Sequence, residues 1–189
     1  VTSHERGEIS INIERACYVR LEQAPTGIFK AYKAGKYKSV TPRYAAGIVA
    51  RRELRIGAYG DSAALPISSI KPLASAAGLL TNYSHAGAYA TGRFNRLAAF
   101  TMASADSIEQ AQTYWNRGFR TFRVTSNYTT RNGIKRVTDL TSGESQCPKT
   151  IDKKITCIDC GLCDGNRRGL QSNIVAPAHG KGSVYIAAS

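Results

Sequence analysis

Between residues 54 and 124, short apolar stretches alternate with amphipathic ones, and this alternation limits the fold more than any other feature of the chain. Leu54 to Tyr59 reads as a strand that stops at Gly60-Asp61. Pro66 opens a helix with Ile70, Leu73 and Leu79 on its apolar side and Gly78 near its end. Leu80 to Tyr83 is a short strand ending at Ser84-His85, and Leu97 to Ala103 is a third, apolar on both faces. A run without alternation suits a strand covered on both sides. Asp106-Ser-Ile-Glu109 reads as a capping box for a helix over 107–117, closed by Gly118. Phe119 to Val124 is the fourth strand, and Asn173 to Pro177 is a last one. Strands alternating with helices predict an α/β fold with a mostly parallel sheet, partial or compact and barrel-like.

The chain on either side of this core is expected to be simpler. Residues 1–16 read as an arm, with a short alternating piece at Ile9, Ile11 and Ile13. Residues 17–189 are expected to form a single domain that includes a cysteine-rich loop over 147–168. One helix should start at Pro25 and end near Gly35, burying Ile28, Phe29 and Tyr32 and leaving Lys30 and Lys33 in solvent. A second, from Pro42 to Arg52, should turn Tyr44, Ile48 and Val49 inward. Residues 126–150 are polar and turn-rich. No apolar run approaches the roughly 20 residues that span a bilayer. The N-terminal VTSHERGEIS has no apolar core, so it does not read as a signal peptide, and a bacterial cytoplasmic setting is expected.

Charge is the first pointer to function. The 189 residues carry 26 Lys and Arg against 13 Asp and Glu, a net +13. The excess sits at the two ends, and residues 57–118 are nearly neutral. A polyanion or an acidic protein is the natural partner of such a surface. Lys30, Lys33, Lys36, Lys38, Arg51 and Arg52 are the candidate phosphate contacts at one end, Arg167 and Arg168 at the other. Solubility alone is the plainer explanation of the same charge.

Four of the five cysteines fall together, as Cys147-x9-Cys157-x2-Cys160-x2-Cys163. Without a secretion signal this pattern favours a metal over disulfides. Thiolates in this number select zinc or iron–sulfur. Three within seven residues converge only if the backbone turns tightly, which Gly161 and Gly165 permit. The run resembles iron–sulfur spacing more than two separated zinc knuckles, so one [4Fe–4S] centre is slightly preferred over zinc. Cys17 stands outside the set.

Three expected strand ends carry reactive side chains: Tyr59-Gly60-Asp61, Tyr83-Ser84-His85 and His179-Gly180. In α/β folds such ends gather at one edge. Asp61, His85 and His179 are therefore candidate catalytic residues over a shared pocket, with Tyr59 and Tyr83 lining it. The competing expectation is that Asp61 caps the following helix and the histidines satisfy backbone groups. No GxSxG, P-loop, GxGxxG or HExxH motif is present.

Several blocks occur in a distinctive order: Cys17-Tyr-Val, Ile56-Gly-Ala-Tyr-Gly-Asp-Ser-Ala-Ala-Leu-Pro66, Thr81-Asn-Tyr-Ser-His85, Met102-Ala-Ser-Ala-Asp106, Gly118-Phe-Arg-Thr-Phe-Arg123, the cysteine run and Ala178-His179-Gly180. Together they resemble an uncharacterised family of bacteriophage and plasmid-borne proteins, distantly similar to radical-SAM α/β barrels. Members of that family carry a further cysteine cluster before the Cys-Tyr block. Val1–Ala16 holds none, which implies one metal centre here rather than two. The Cys-x3-Cys-x2-Cys signature of radical-SAM enzymes is absent. The leading expectation is a phage or mobile-element accessory protein with a metal-stabilised α/β domain that binds DNA or RNA through basic faces. An iron–sulfur enzyme using Asp61, His85 and His179, and a structural component of a virion or complex, are the alternatives.

Overall fold

The computed structural model describes residues 4–5, 8–9, 24–86, 96–167, 169 and 172–179. Its centre is a six-stranded sheet formed by β1 (Glu53–Ile56), β2 (Leu79–Ser84), β3 (Met102–Ala105), β4 (Thr121–Thr125), β7 (Glu144–Gln146) and β8 (Asn173–Pro177). The order is β1-β2-β3-β4-β8-β7, and every neighbouring pair is parallel. Strands 1 to 4 follow one another without reversal, as in a barrel rather than a doubly wound sheet. The expected α/β fold with a parallel, barrel-like sheet and a C-terminal cysteine loop is what forms. A separate hairpin, β5 (Tyr128–Arg131) with β6 (Ile134–Val137), and a two-residue pairing of His4–Glu5 with Glu8–Ile9 are antiparallel.

The sheet has two different faces because side chains alternate and parallel partners in register share a side. Leu54 and Leu80, Ser84 and Ala103, and Ala105 and Arg123 are register pairs. On their side lie α3 (Ile67–Ala76) and α4 (Ile108–Trp115). Ile70 and Ala74 of α3 and Ala111 and Tyr114 of α4 close on Leu80, Ala103 and Ala105 to make the main apolar core. Such burial contributes roughly 25 cal/mol per Å² of apolar area. Near β8 and β7 the hairpin replaces a helix. The Gln146 side chain there accepts from the Val137 amide at 3.0 Å and donates to the Lys135 carbonyl at 2.6 Å.

Tyr83, Met102, Ser104, Phe122 and Ile174 belong to the opposite face, where the rings of Tyr83 and Phe122 meet edge to face at 5.0 Å. β2 pairs with β3 only through Tyr83 and Ser84. One residue earlier, the Asn82 amide donates to the Cys163 carbonyl at 3.4 Å instead. The cysteine loop therefore occupies the place where the two strands part.

Several expected boundaries moved. The strand expected over 97–103 begins at Met102. Leu97 and Ala98 are buried, but in a turn. The α4 cap is Ser107, which accepts from the Gln110 amide, while Gln110 accepts from the Asp106 amide at 2.6 Å. The cap thus falls one residue later than expected from Asp106 and Glu109. The polar stretch 126–150 contains the hairpin and the edge strand β7, none of which an apolar pattern announces. α1 (Ala24–Lys33) and α2 (Pro42–Val49, capped by Thr41) form where expected. Their orientation differs. Ile28, Phe29, Tyr32, Tyr44 and Ile48 are exposed, and only Val49 of the expected inward set is half-buried. α2 packs on α3, with Ala45, Ala46 and Val49 half-buried and Tyr44 outward.

Candidate metal centre and nucleic-acid interface

Cys147 leaves the end of β7 on the Tyr83 face, its amide donating to the Val175 carbonyl at 2.7 Å. Pro148–Ile151 (α5) turns at once, because Thr150 returns its amide and its hydroxyl to the Cys147 carbonyl. Cys157 and Cys160 are the two ends of the one-turn helix α6. A capping box starts it: Thr156 accepts from the Asp159 amide, and Asp159 accepts from the Thr156 amide at 2.9 Å. Gly161, at φ 60°, ends it in the left-handed region as its spacing foretold.

Beyond Gly161 the loop is fixed from below by Arg120, the residue before β4. Its guanidinium donates to the carbonyls of Leu162 at 2.7 Å, Gly165 at 2.6 Å and Ser172 at 2.6 Å, and pairs with Asp164 at 3.3 Å. Arg120 and Asp164 are both buried. Gly165, at φ 69°, presses against the backbone of Thr101 and Ala98, where a Cβ would come within 2.4 Å of the Thr101 amide nitrogen. The Asn166 amide donates to the Ala98 carbonyl at 2.9 Å.

The four thiols share one neighbourhood. Burial pushes the Cys163 thiol up to about 12; a hydrogen bond from the Tyr83 hydroxyl opposes the rise, and negative charge on Cys147, Cys160 and Cys157 adds to it. Cys147 is likewise raised, first by burial and then by Cys160 and Cys157, against the backbone amides of Lys149 and Thr150. Tyr83 is raised by burial and by Cys163. A bound cation relieves this kind of mutual repulsion, and the donor set is the soft one that zinc or iron–sulfur takes. Among the described residues, no group of three or more His, Cys, Asp or Glu is drawn together as a ready ligand shell. The donor chemistry fits such a centre. All four cysteines are unbridged. Cys17 lies outside the described residues.

Of the expected pocket residues, Asp61 and His85 line one cavity with Ala63, Ala64 and Ala86, and His179 is not among its lining residues. β1 and β2 are adjacent and parallel, so Asp61 does reach the end of β2. Its carboxylate is spent there on structure. It accepts from the Ala63 amide at 2.8 Å, the Ser84 hydroxyl at 2.6 Å and the His85 amide at 2.9 Å, and caps the 3₁₀ turn Ser62–Ala64. The capping expectation for Asp61 thus describes its contacts. The His85 ring is exposed, with Nε2 3.9 Å from Asp106. Tyr83 points to the opposite face, toward Cys163, because it alternates with Ser84. Tyr59 is exposed in the loop after β1. His179 follows β8, with β4 and β3 lying between that strand and β2. At the usual spacing that is about 14 Å across the sheet.

The basic residues divide. Lys30, Lys33, Lys36, Lys38, Arg51 and Arg52 are all exposed. Arg167 is not a free surface cation, since its guanidinium donates to the Ala77 carbonyl. Arg168 lies outside the described residues. Arg55 stacks over the Tyr83 ring at 6.0 Å, a placement that follows only from the β1–β2 register. Arg120 and Tyr83 are the two residues whose roles at the cysteine loop no local signal in the sequence foretold. In comparisons with known proteins, the chain matches no family model, no curated protein and no solved structure. Among the described residues, no helix is long and apolar enough to cross a membrane.

Proposed function

We propose that this chain is a nucleic-acid-binding accessory protein, of the kind carried by phages and mobile elements, built on a metal-stabilised α/β domain. The observation that supports the reading is the segment that carries α1 and α2. Ala24 to Arg52 contains Lys30, Lys33, Lys36, Lys38, Arg43, Arg51 and Arg52 and not one Asp or Glu. All seven cations are exposed. α1 buries none of its side chains, so its charge serves no packing purpose. Cations displayed in this way displace counterions from a phosphate backbone.

Cys147, Cys157, Cys160 and Cys163 would hold the metal centre, iron–sulfur or zinc. When bound, such a centre supplies folding free energy by cross-linking β7 to the turn that Arg120 anchors. The protein's own part is to present the thiols. Thr150 and the α5 amides fix Cys147, Gly161 turns the chain after Cys160, and Asn82 with Tyr83 holds Cys163.

A salt titration tests the binding. Contacts to four to six phosphates predict a slope of about −0.9 per phosphate on duplex or −0.7 on single strands. Affinity should then fall roughly a hundredfold to a thousandfold between about 50 and 200 mM salt. Absence of saturable binding to any DNA or RNA at low salt would refute the reading. Elemental analysis and the visible spectrum identify the centre. Full metal retention in Cys160→Ser would remove that assignment while leaving the binding intact.

A further inference from the structure

We infer that the segment carrying α1 and α2 takes single-stranded nucleic acid, by stacking unpaired bases on Phe29, Tyr32, Tyr37 and Tyr44. The inference rests on the nucleic-acid reading above and makes its partner specific. These four rings are exposed at 62%, 66%, 54% and 63%, whereas Tyr114, Leu80 and Met102 are fully buried. Displaying four aromatic rings to water forgoes the burial that would stabilise the fold. A duplex keeps its bases inside and offers such rings nothing. A single strand offers one base face to each ring, whatever the sequence.

The arrangement argues against other occupants. Each ring has a cation beside it in the chain: Phe29-Lys30, Tyr32-Lys33, Lys36-Tyr37-Lys38 and Arg43-Tyr44. On α1, Phe29 and Lys33 are four residues apart and share one side of the helix. A second copy of the chain would set this wholly cationic surface against its like. A helix that lies on lipid separates its apolar side from its charged side. On α1, Ile28 and Tyr32 lie opposite Lys30 and Lys33 in this way, but Lys36-Tyr37-Lys38 sets its ring between two cations outside either helix. Gly35, at φ 69°, turns the backbone between α1 and the Lys36-Tyr37-Lys38 segment, so that segment leaves the helix axis instead of extending it.

Fluorescence anisotropy with the full chain provides the test, using a labelled oligothymidylate of roughly 20 nucleotides and a duplex of the same length. The single strand should bind more tightly than the duplex. Removing one stacked ring is expected to weaken single-strand binding about tenfold, so Phe29→Ala with Tyr32→Ala should weaken it about a hundredfold. The salt slope should stay unchanged in that variant. Lys30→Ala with Lys33→Ala should instead reduce the slope by about one to two units. None of these four side chains is buried, so circular dichroism should show all variants folded. Equal affinity for both probes, or an aromatic double variant that binds the single strand like wild type, overturns stacking but leaves nucleic-acid binding standing. No saturable binding to either probe at about 50 mM salt overturns both. Tighter binding to anionic phospholipid vesicles than to the oligothymidylate also overturns both.

Discussion

The segment carrying α1 and α2 and the cysteine loop exchange the roles their compositions suggest. The first is rich in aromatic and aliphatic side chains, and its largest ones face water. The second is rich in Cys, Asp, Lys and Gly, and its stretch from Leu162 to Asn166 is fixed into the sheet by hydrogen bonds. Apolar content alone does not decide what is buried. Burial goes to whatever a neighbouring surface can match in shape and hydrogen bonding. The sheet leaves a gap where β2 and β3 part, and only backbone with many carbonyls and amides can fill such a gap. Arg120, Asn82 and Ala98 supply the complementary groups.

If this contrast is right, the loop tolerates less change than the helices. The largest effect is expected at Arg120. In Arg120→Met, Asp164 becomes a buried charge without its guanidinium, and the carbonyls of Leu162 and Gly165 lose a donor. The cost should be about 3–5 kcal/mol, enough to unfold a domain of ordinary stability. Urea denaturation measures it, and a loss under about 1 kcal/mol would show that the loop is not anchored there.

Gly165→Ala comes next. The left-handed φ and the approach to Thr101 cannot both be kept with a Cβ present. About 3 kcal/mol is expected from strain and displacement together. Thermal unfolding of the variant with metal excluded separates this from any change in metal binding.

A smaller effect should appear with acid. Arg123 is buried and pairs with Asp139 at 2.9 Å and Glu144 at 2.8 Å. Burial pushes both carboxyl groups up, but hydrogen bonds and charge from Arg123 outweigh it and hold each below its ordinary value. A depressed folded-state pKa stabilises the protein above the unfolded value of about 4, and that contribution is lost as pH falls through the folded values. Stability should therefore be flat near neutrality and decline below about pH 4. Glu144→Gln should make the decline shallower, measured as denaturation midpoint against pH. An unchanged profile would place the acid sensitivity elsewhere.

The smallest effect belongs to the other side of the contrast. Phe29→Ala and Tyr32→Ala should change stability by no more than about 0.5 kcal/mol, since neither side chain is buried. A loss of 2 kcal/mol or more would mean these rings are packed after all.

The cysteine site was partly legible. Spacing and glycine positions located the turn around Cys157, Cys160 and Cys163, because a tight chain reversal leaves a local signature. The partners of Cys163 were not legible. Tyr83 lies 80 positions away along the chain and was expected in a pocket with Asp61. Side-chain alternation along β2 sends neighbouring residues to opposite faces, so Ser84 met Asp61 and Tyr83 met the thiol. His179 was separated from His85 by strand order, which no single strand encodes.

By itself the sequence determined what depends on short stretches of chain. The helices starting near Pro25 and Pro42, the strands expected over 54–59, 80–83, 119–124 and 173–177, the turn glycines and the concentration of charge before Arg52 all follow from local propensity and spacing, with strand ends shifted by up to three residues. Tertiary structure alone decided which faces met. It inserted β8 between β4 and β7, gave Arg120 and Asp164 a common burial site, and left Phe29, Tyr32 and Tyr44 uncovered. The reason is physical: propensity acts over a few residues, whereas burial is a competition among all surfaces of the chain for a limited number of matching partners.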